Sequence, residues 1–160
     1  MAIIEEKLEK LGLVLPEKLK APSGMPLPFS PVRIIGNRAI ISGHGPQNPD
    51  GTVQQGQGKV GNEISVEIAQ SAARDTALSI LASLKRELGD LDRITAWVKV
   101  LGMVNADPTF PAHPVVINGF SDLILELWGT EAGGHSRSAI GVASLPFGMY
   151  VEIEGEVLID

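Results

Sequence analysis

The sequence predicts an α+β fold in which one mixed sheet carries two helices on one face. Three observations lead there. Two long segments place apolar residues at spacings of three and four, the helical period. Five or six short runs are rich in Val and Ile and bounded by Gly and Pro, as strands are. The order is strand pair, helix, strand, helix, strand pair, which suits a single sheet covered on one side. The other face is left needing cover, and self-association is the usual remedy.

Each element has its own local reason. Ile3 to Leu11 sets Ile4, Leu8 and Leu11 on one stripe, and Gly12 stands where a helix ends. Pro16, Pro22, Pro26, Pro28 and Pro31 then exclude helix and disfavour a central strand. Residues 1–27 therefore read as an N-terminal helix and a Pro-rich arm. Val32–Ile35 and Arg38–Ser42 flank Gly36-Asn37, a hairpin signal. Gly43 to Gly61 is a Gly- and Gln-rich loop with room for a short strand near Val53. From Ser65 to Leu88, Ile68, Ala72, Ala73, Ala77, Ile80, Leu81, Leu84 and Leu88 recur at helical spacing. Ser65 is the predicted N-cap and Gly89 the end. Ile94–Val104 is a mostly apolar strand. Val115–Trp128 is a second helix burying Val116, Ile117, Phe120, Ile124, Leu127 and Trp128, closed by Gly129. Ser138–Ser144 is a strand with Gly141 expected as a bulge, and Leu145 to Gly148 turns the chain. Tyr150–Ile159 alternates, with Val151, Ile153, Gly155, Val157 and Ile159 on one face and Glu152, Glu154 and Glu156 on the other.

Composition narrows the function. The 160 residues are one domain's worth, with no repeat and no composition break. Acids outnumber bases, 13 − 19 = −6, and aromatics are 4%, which argues against a nucleic-acid binder. No cysteine is present, which removes disulfides, thiolate metal sites and cysteine nucleophiles. Glu5 and Glu6 near the start do not suit a signal peptide, and no apolar run suits a membrane span, so a cytoplasmic location is expected.

Most candidate motifs fail on context. Gly56 to Gly61 has the spacing G-x-G-x-x-G, but no strand feeds it and the helix begins late, so it reads as a loop. His44, His113 and His135 are scattered and form no zinc pattern, so no metal is expected. No G-x-S-x-G elbow marks a nucleophilic serine. His44 and His135 follow glycines near strand ends and read as loop histidines, although ligand loops sit in such places. The three glutamates of the last strand suit a solvated edge, or a carboxylate covered by a neighbouring subunit and raised in pKa. Arg137, beside glycines, is either a surface arginine paired with one of those glutamates or a fork for a carboxylate or phosphate.

Several of these stretches, taken in order, resemble one family. Ser136-Arg137-Ser138-Ala139-Ile140, Leu145-Pro146 and Val151-Glu152-Ile153-Glu154 are similar to the C-terminal signature of the RidA/YjgF family. Pro28-Phe29-Ser30, the hairpin ending in Ser42-Gly43, and Asn118 in the second helix agree with three further family segments. The match runs from about Pro28 to Ile159. The resemblance implies a chorismate-mutase-like fold and a homotrimer with clefts between subunits. It implies hydrolysis of reactive enamines and imines, such as 2-aminoacrylate, to 2-keto acids and ammonia, without a cofactor. It gives Arg137 the substrate carboxylate and Glu152 the water, with Phe29, Ser42, Gly43, Asn118 and Ala139 about the substrate.

The departures imply a divergent subgroup with a reshaped pocket. Phe29 stands where the family has tyrosine, Ala139 where it often has cysteine, and His135 where it usually has proline. The loop from Thr130 to Gly134 is longer, and a segment from Met1 to about Met25 precedes the match. Two other functions are weighed: a carboxylate-binding regulatory trimer without turnover, and the endoribonuclease activity whose name relatives often carry. The acidic charge and few aromatics oppose the latter.

Overall fold

The computed structural model describes residues 2–24 and 26–160. Met1 and Met25, the ends of the predicted N-terminal extension, lie outside the described residues. In chain order the elements are α1 (Ile3–Lys10), β1 (Val32–Ile35), β2 (Arg38–His44), α2 (Val66–Leu88), β3 (Ile94–Asn105), α3 (His113–Gly133), β4 (Ser136–Val142) and β5 (Val151–Ile159). The sheet runs β1-β2-β5-β3-β4. Only β3–β4 is parallel, and α3 makes the crossover that a parallel pair requires. The predicted α+β class and single mixed sheet hold.

Local chemistry explains the boundaries. The Ser65 side chain accepts from the Ile68 N–H at the start of α2, and Gly89 ends it at φ 82°. Ala2 cannot cap α1, so the Asp92 carboxylate does, accepting from the Ile3 and Ile4 N–H groups at 2.6 and 2.9 Å. Gly36 takes φ 60° as the first central residue of the β1–β2 hairpin. The alanines of α2 pack it tightly: Ala69, Ala73 and Ala77 are fully buried, and α2 lies against α3 as well as the sheet.

Four expectations need correction. Ile68 is 52% exposed, because Ala69 takes the inward place in the first turn of α2, and Leu11 is exposed beyond α1. The second long helix starts earlier and ends later than predicted; Gly129 kinks it at φ 73° instead of closing it. Gly141 is no bulge, since β3–β4 pairing runs unbroken from Lys99–Ser136 to Asn105–Val142. A side chain there would meet His113 Nε2 at 2.5 Å, so glycine admits that ring. Finally, β5 is the middle strand, so its glutamates are not on an edge.

Both long helices cover the sheet face that carries Val100, Val104, Val151, Ile153 and Val157, all fully buried. The other face presents Leu101, Met103 and Ile140 beside Glu152 and Glu154, and among the described residues no helix packs on it. That is the uncovered face the sequence anticipated.

Candidate active site

A cavity opens where β1 stops pairing with β2. Past Val32–Ile41 the two strands part, and residues Gly43 to Gly45 have no β1 partner. The space beside them has a volume of about 480 Å³. Its walls come from the Pro-rich arm (Leu19, Leu27, Phe29), the end of β2 (Gly43, His44), α2 (Ser83, Arg86) and β5 (Met149 just before it, Glu152). Phe29 is 54% exposed and forms part of the rim.

Glu152 is the acid of this cavity. It points away from buried Val151 and Ile153, and lies so close to Gly43 that any side chain there would strike its carboxylate. Burial, and secondarily the charge of Glu154, pushes its pKa above the usual carboxylate range. Among the described residues its carboxylate accepts no hydrogen bond. Glu156, one turn of the pleat further, is different: Arg38 grips it with two N–H donors and holds its pKa low. The arginine that pairs with a β5 glutamate is thus Arg38, not Arg137.

Arg137 lies on the far edge strand, on the helix-covered face, in register with buried Val100. Its NH1 donates to Asn118 Oδ1 at 2.9 Å and to Ser121 Oγ at 3.1 Å, and its NH2 to the Pro114 carbonyl at 3.4 Å. Ala139 follows on the same face, half-buried. No ion pair among the described residues includes Arg137, so neutral acceptors aim the fork while its charge stays without an acidic partner.

Behind Arg137 stands His135. Its Nδ1 is 2.7 Å from the Gly133 carbonyl and its Nε2 2.9 Å from Ser121 Oγ. A carbonyl only accepts, so Nδ1 carries the proton. With Nδ1 as its one protonated nitrogen the ring would accept at Nε2 from Ser121, whose oxygen is left to accept from Arg137. The cavity contains the same construction. His44 Nδ1 is 2.6 Å from the Ser42 carbonyl, His44 Nε2 is 2.9 Å from Ser83 Oγ, and Arg86 NH2 donates to Ser83 Oγ at 3.2 Å. His44 is only 9% exposed; burial, helped by the charge of Arg86, lowers its pKa despite the Ser42 bond. It is therefore held neutral and is no loop histidine.

The sequence-predicted residues thus fall into two groups. Phe29, Gly43 and Glu152 share the cavity; Arg137, Asn118 and Ala139 share the β4–α3 edge. Ser42 belongs with the first group indirectly: its hydroxyl donates to the Ser30 carbonyl at 2.7 Å, fixing Phe29's segment. Within one protomer the groups do not meet. Two strand spacings and three residues of offset separate the Arg137 and Glu152 backbones by roughly 14 Å, and their side chains leave opposite faces. Sequence reading missed Ser83 and Arg86. Their signal was a hydroxyl inside the apolar stripe of α2, which must find a buried partner, with an arginine three residues on.

Comparison with known proteins agrees with this architecture. The "YjgF/chorismate mutase-like, putative endoribonuclease" family matches residues 5–152. Protein TCP17 of Trypanosoma cruzi is 38% identical over 154 residues, 96% of this chain and 92% of its own. The structure of Atu1372 from Agrobacterium tumefaciens superposes with a TM-score of 0.85 at 39% identity, covering 99% of this chain and 92% of that one. A Shewanella oneidensis protein with the same endoribonuclease description gives 0.87 at 30% identity, covering 98% and 99%. The chain belongs to the YjgF/chorismate mutase-like family, as the motifs around Arg137 and Glu152 had indicated.

Proposed function

We propose that this family member hydrolyses 2-imino acids, and the enamines in equilibrium with them, to 2-keto acids and ammonia. The observation that carries the reading is the pair of half-sites: a pre-aimed arginine fork whose charge has no ion-pair partner among the described residues on one edge, and a half-buried glutamate of raised pKa in a cavity on the other. A small substrate cannot bridge them within one protomer. The working site is accordingly a cleft between subunits, with Arg137 and Asn118 of one protomer facing the cavity of the next. A homotrimer closed over the uncovered sheet face supplies three such clefts.

The chemistry needs little else. Arg137 and the Asn118 amide hold the substrate carboxylate and place the imine carbon near Glu152. Glu152 takes a proton from water as the oxygen bonds to that carbon, giving a carbinolamine. It passes that proton to nitrogen, then takes the carbinolamine's hydroxyl proton as the carbonyl forms and delivers it to nitrogen as the C–N bond breaks; ammonia leaves and the carboxylate is restored. A raised pKa suits a group that must both take and give the proton. RNA cleavage, the family's other description, finds less support: the net charge is −6 and the cavity walls are largely apolar. The test generates an imino acid in the cuvette and follows keto-acid release. Wild type should accelerate it and Arg137→Ala should not; no acceleration by wild type would leave a carboxylate-binding trimer.

A further inference from the structure

The two histidine–serine–arginine chains are built alike, and only one of their arginines has a use in the reaction above. In each, a histidine Nδ1 bonds the carbonyl two residues before it: Ser42 for His44, Gly133 for His135. In each, Nε2 meets a buried serine hydroxyl, and that hydroxyl accepts from an arginine. Ser83 and Ser121 are 6% and 7% exposed. Burying two polar side chains to steady one exposed arginine is costly unless that arginine's direction matters.

Arg86 stands between the cavity and a smaller pocket beside Pro16. It lines the same space as Glu152 and Phe29. Beyond Ser83 it donates from NH1 to the Pro16 carbonyl at 3.3 Å, which leaves further N–H groups of its fork uncommitted. No ion pair among the described residues includes it. The charged groups about the cavity are Lys18, Arg86, Glu87 and Glu152. The same cavity has apolar walls, including Val53, Leu27 and Met149. The volume, about 480 Å³, falls among sites that enclose drug-sized molecules, roughly 300–1,000 Å³, and far exceeds a three-carbon imino acid.

We infer that Arg86 is a second carboxylate anchor, and that the preferred ligand is a 2-imino acid whose side chain ends in a second carboxylate. This inference rests on the reaction proposed above for its first anchor. Arg137 of one protomer would hold the carboxylate beside the reacting carbon. The side chain would cross the apolar part of the neighbour's cavity, and its terminal acid would reach Arg86. His44 and Ser83 are positioning residues for that fork, as His135 and Ser121 are for Arg137.

Two measurements test it separately from the reaction. The first is calorimetric binding of stable keto-acid analogues of equal length, 2-oxopentanedioate and 2-oxopentanoate. The diacid should bind wild type at least tenfold more tightly. Arg86→Ala should reduce that ratio to near one, and Arg86→Lys, which keeps the charge but not the fork, should restore part of it. Equal affinities in wild type, or a diacid advantage that survives Arg86→Ala, would overturn the second anchor. The second measurement is the ratio of kcat/KM for the two corresponding imino acids, generated in the cuvette. A diacid advantage lost in Arg86→Ala supports both readings. Binding preference without any turnover sinks the proposed reaction but not the anchor; turnover without preference sinks the anchor but not the reaction.

Discussion

Two regions of this protein hold an arginine in the same way and differ in what surrounds it. At the β2–α2 side, His44 and Ser83 steady Arg86 at a deep cavity that also contains Glu152. At the β4–α3 side, His135 and Ser121 steady Arg137 on an edge strand, where among the described residues it is in no ion pair. The first region has volume and a proton acceptor; the second has a fork without an ion-pair partner among the described residues, bonded to an asparagine. Neither is a complete site. Under the proposed function, the difference means that the two parts are pre-organised separately on one chain and meet only when subunits associate.

The largest expected effect falls on the acid. Glu152→Gln keeps the shape and removes the proton shuttle, so kcat for imine hydrolysis should fall about 10²–10⁴-fold, the usual worth of general acid–base catalysis. Unchanged kcat would mean that water is activated elsewhere. On the other region, Arg137→Lys replaces a fork by a point charge, and kcat/KM should drop about tenfold to a hundredfold, largely through KM. A loss confined to kcat would contradict the anchoring role.

The supporting serines sharpen the contrast. Ser83→Ala leaves His44 Nε2 buried without a donor and should cost about 1–3 kcal/mol in chemical unfolding. Ser121→Ala should cost less, because His135 is half-exposed and water can replace the hydroxyl. A reversed order would show that burial is not what sets the two chains apart. The smallest effect is on pH dependence. His44 has a lowered pKa when folded, so the unfolded chain takes up the proton first as pH falls. Its contribution to stability is present above about pH 6.5 and is lost below it, down through the folded-state pKa, at no more than about 1.4 kcal/mol per pH unit. Stability of His44→Gln should fall less steeply over that window than that of wild type; an identical slope would remove His44 as the cause.

Much of this was legible in the sequence, for identifiable reasons. The α2 helix announced itself through period and caps, since Ser65 and Gly89 act on their own neighbours. Alternation in β5 separated Glu152 from the core at once. The place of β5 in the middle of the sheet was not legible, because strand order depends on partners more than forty residues away. Arg137 and Glu152 were found through family-like motifs, yet their separation across β3 follows only from the register. The His44–Ser83–Arg86 chain was missed because a serine and an arginine on a mostly apolar helix look like surface. Its third member lies 39 residues before the serine, on β2.

The most direct test of the composite site is subunit mixing. Arg137→Ala and Glu152→Gln proteins, each inactive alone, would be unfolded together in equal amounts and refolded. Clefts formed between unlike protomers then include ones with both native residues, about a quarter of all clefts if assembly is random and cyclic. Recovery of roughly that fraction of wild-type imine hydrolysis is the predicted result. Mixed oligomers that form but stay inactive would show that Arg137 and Glu152 do not serve one site.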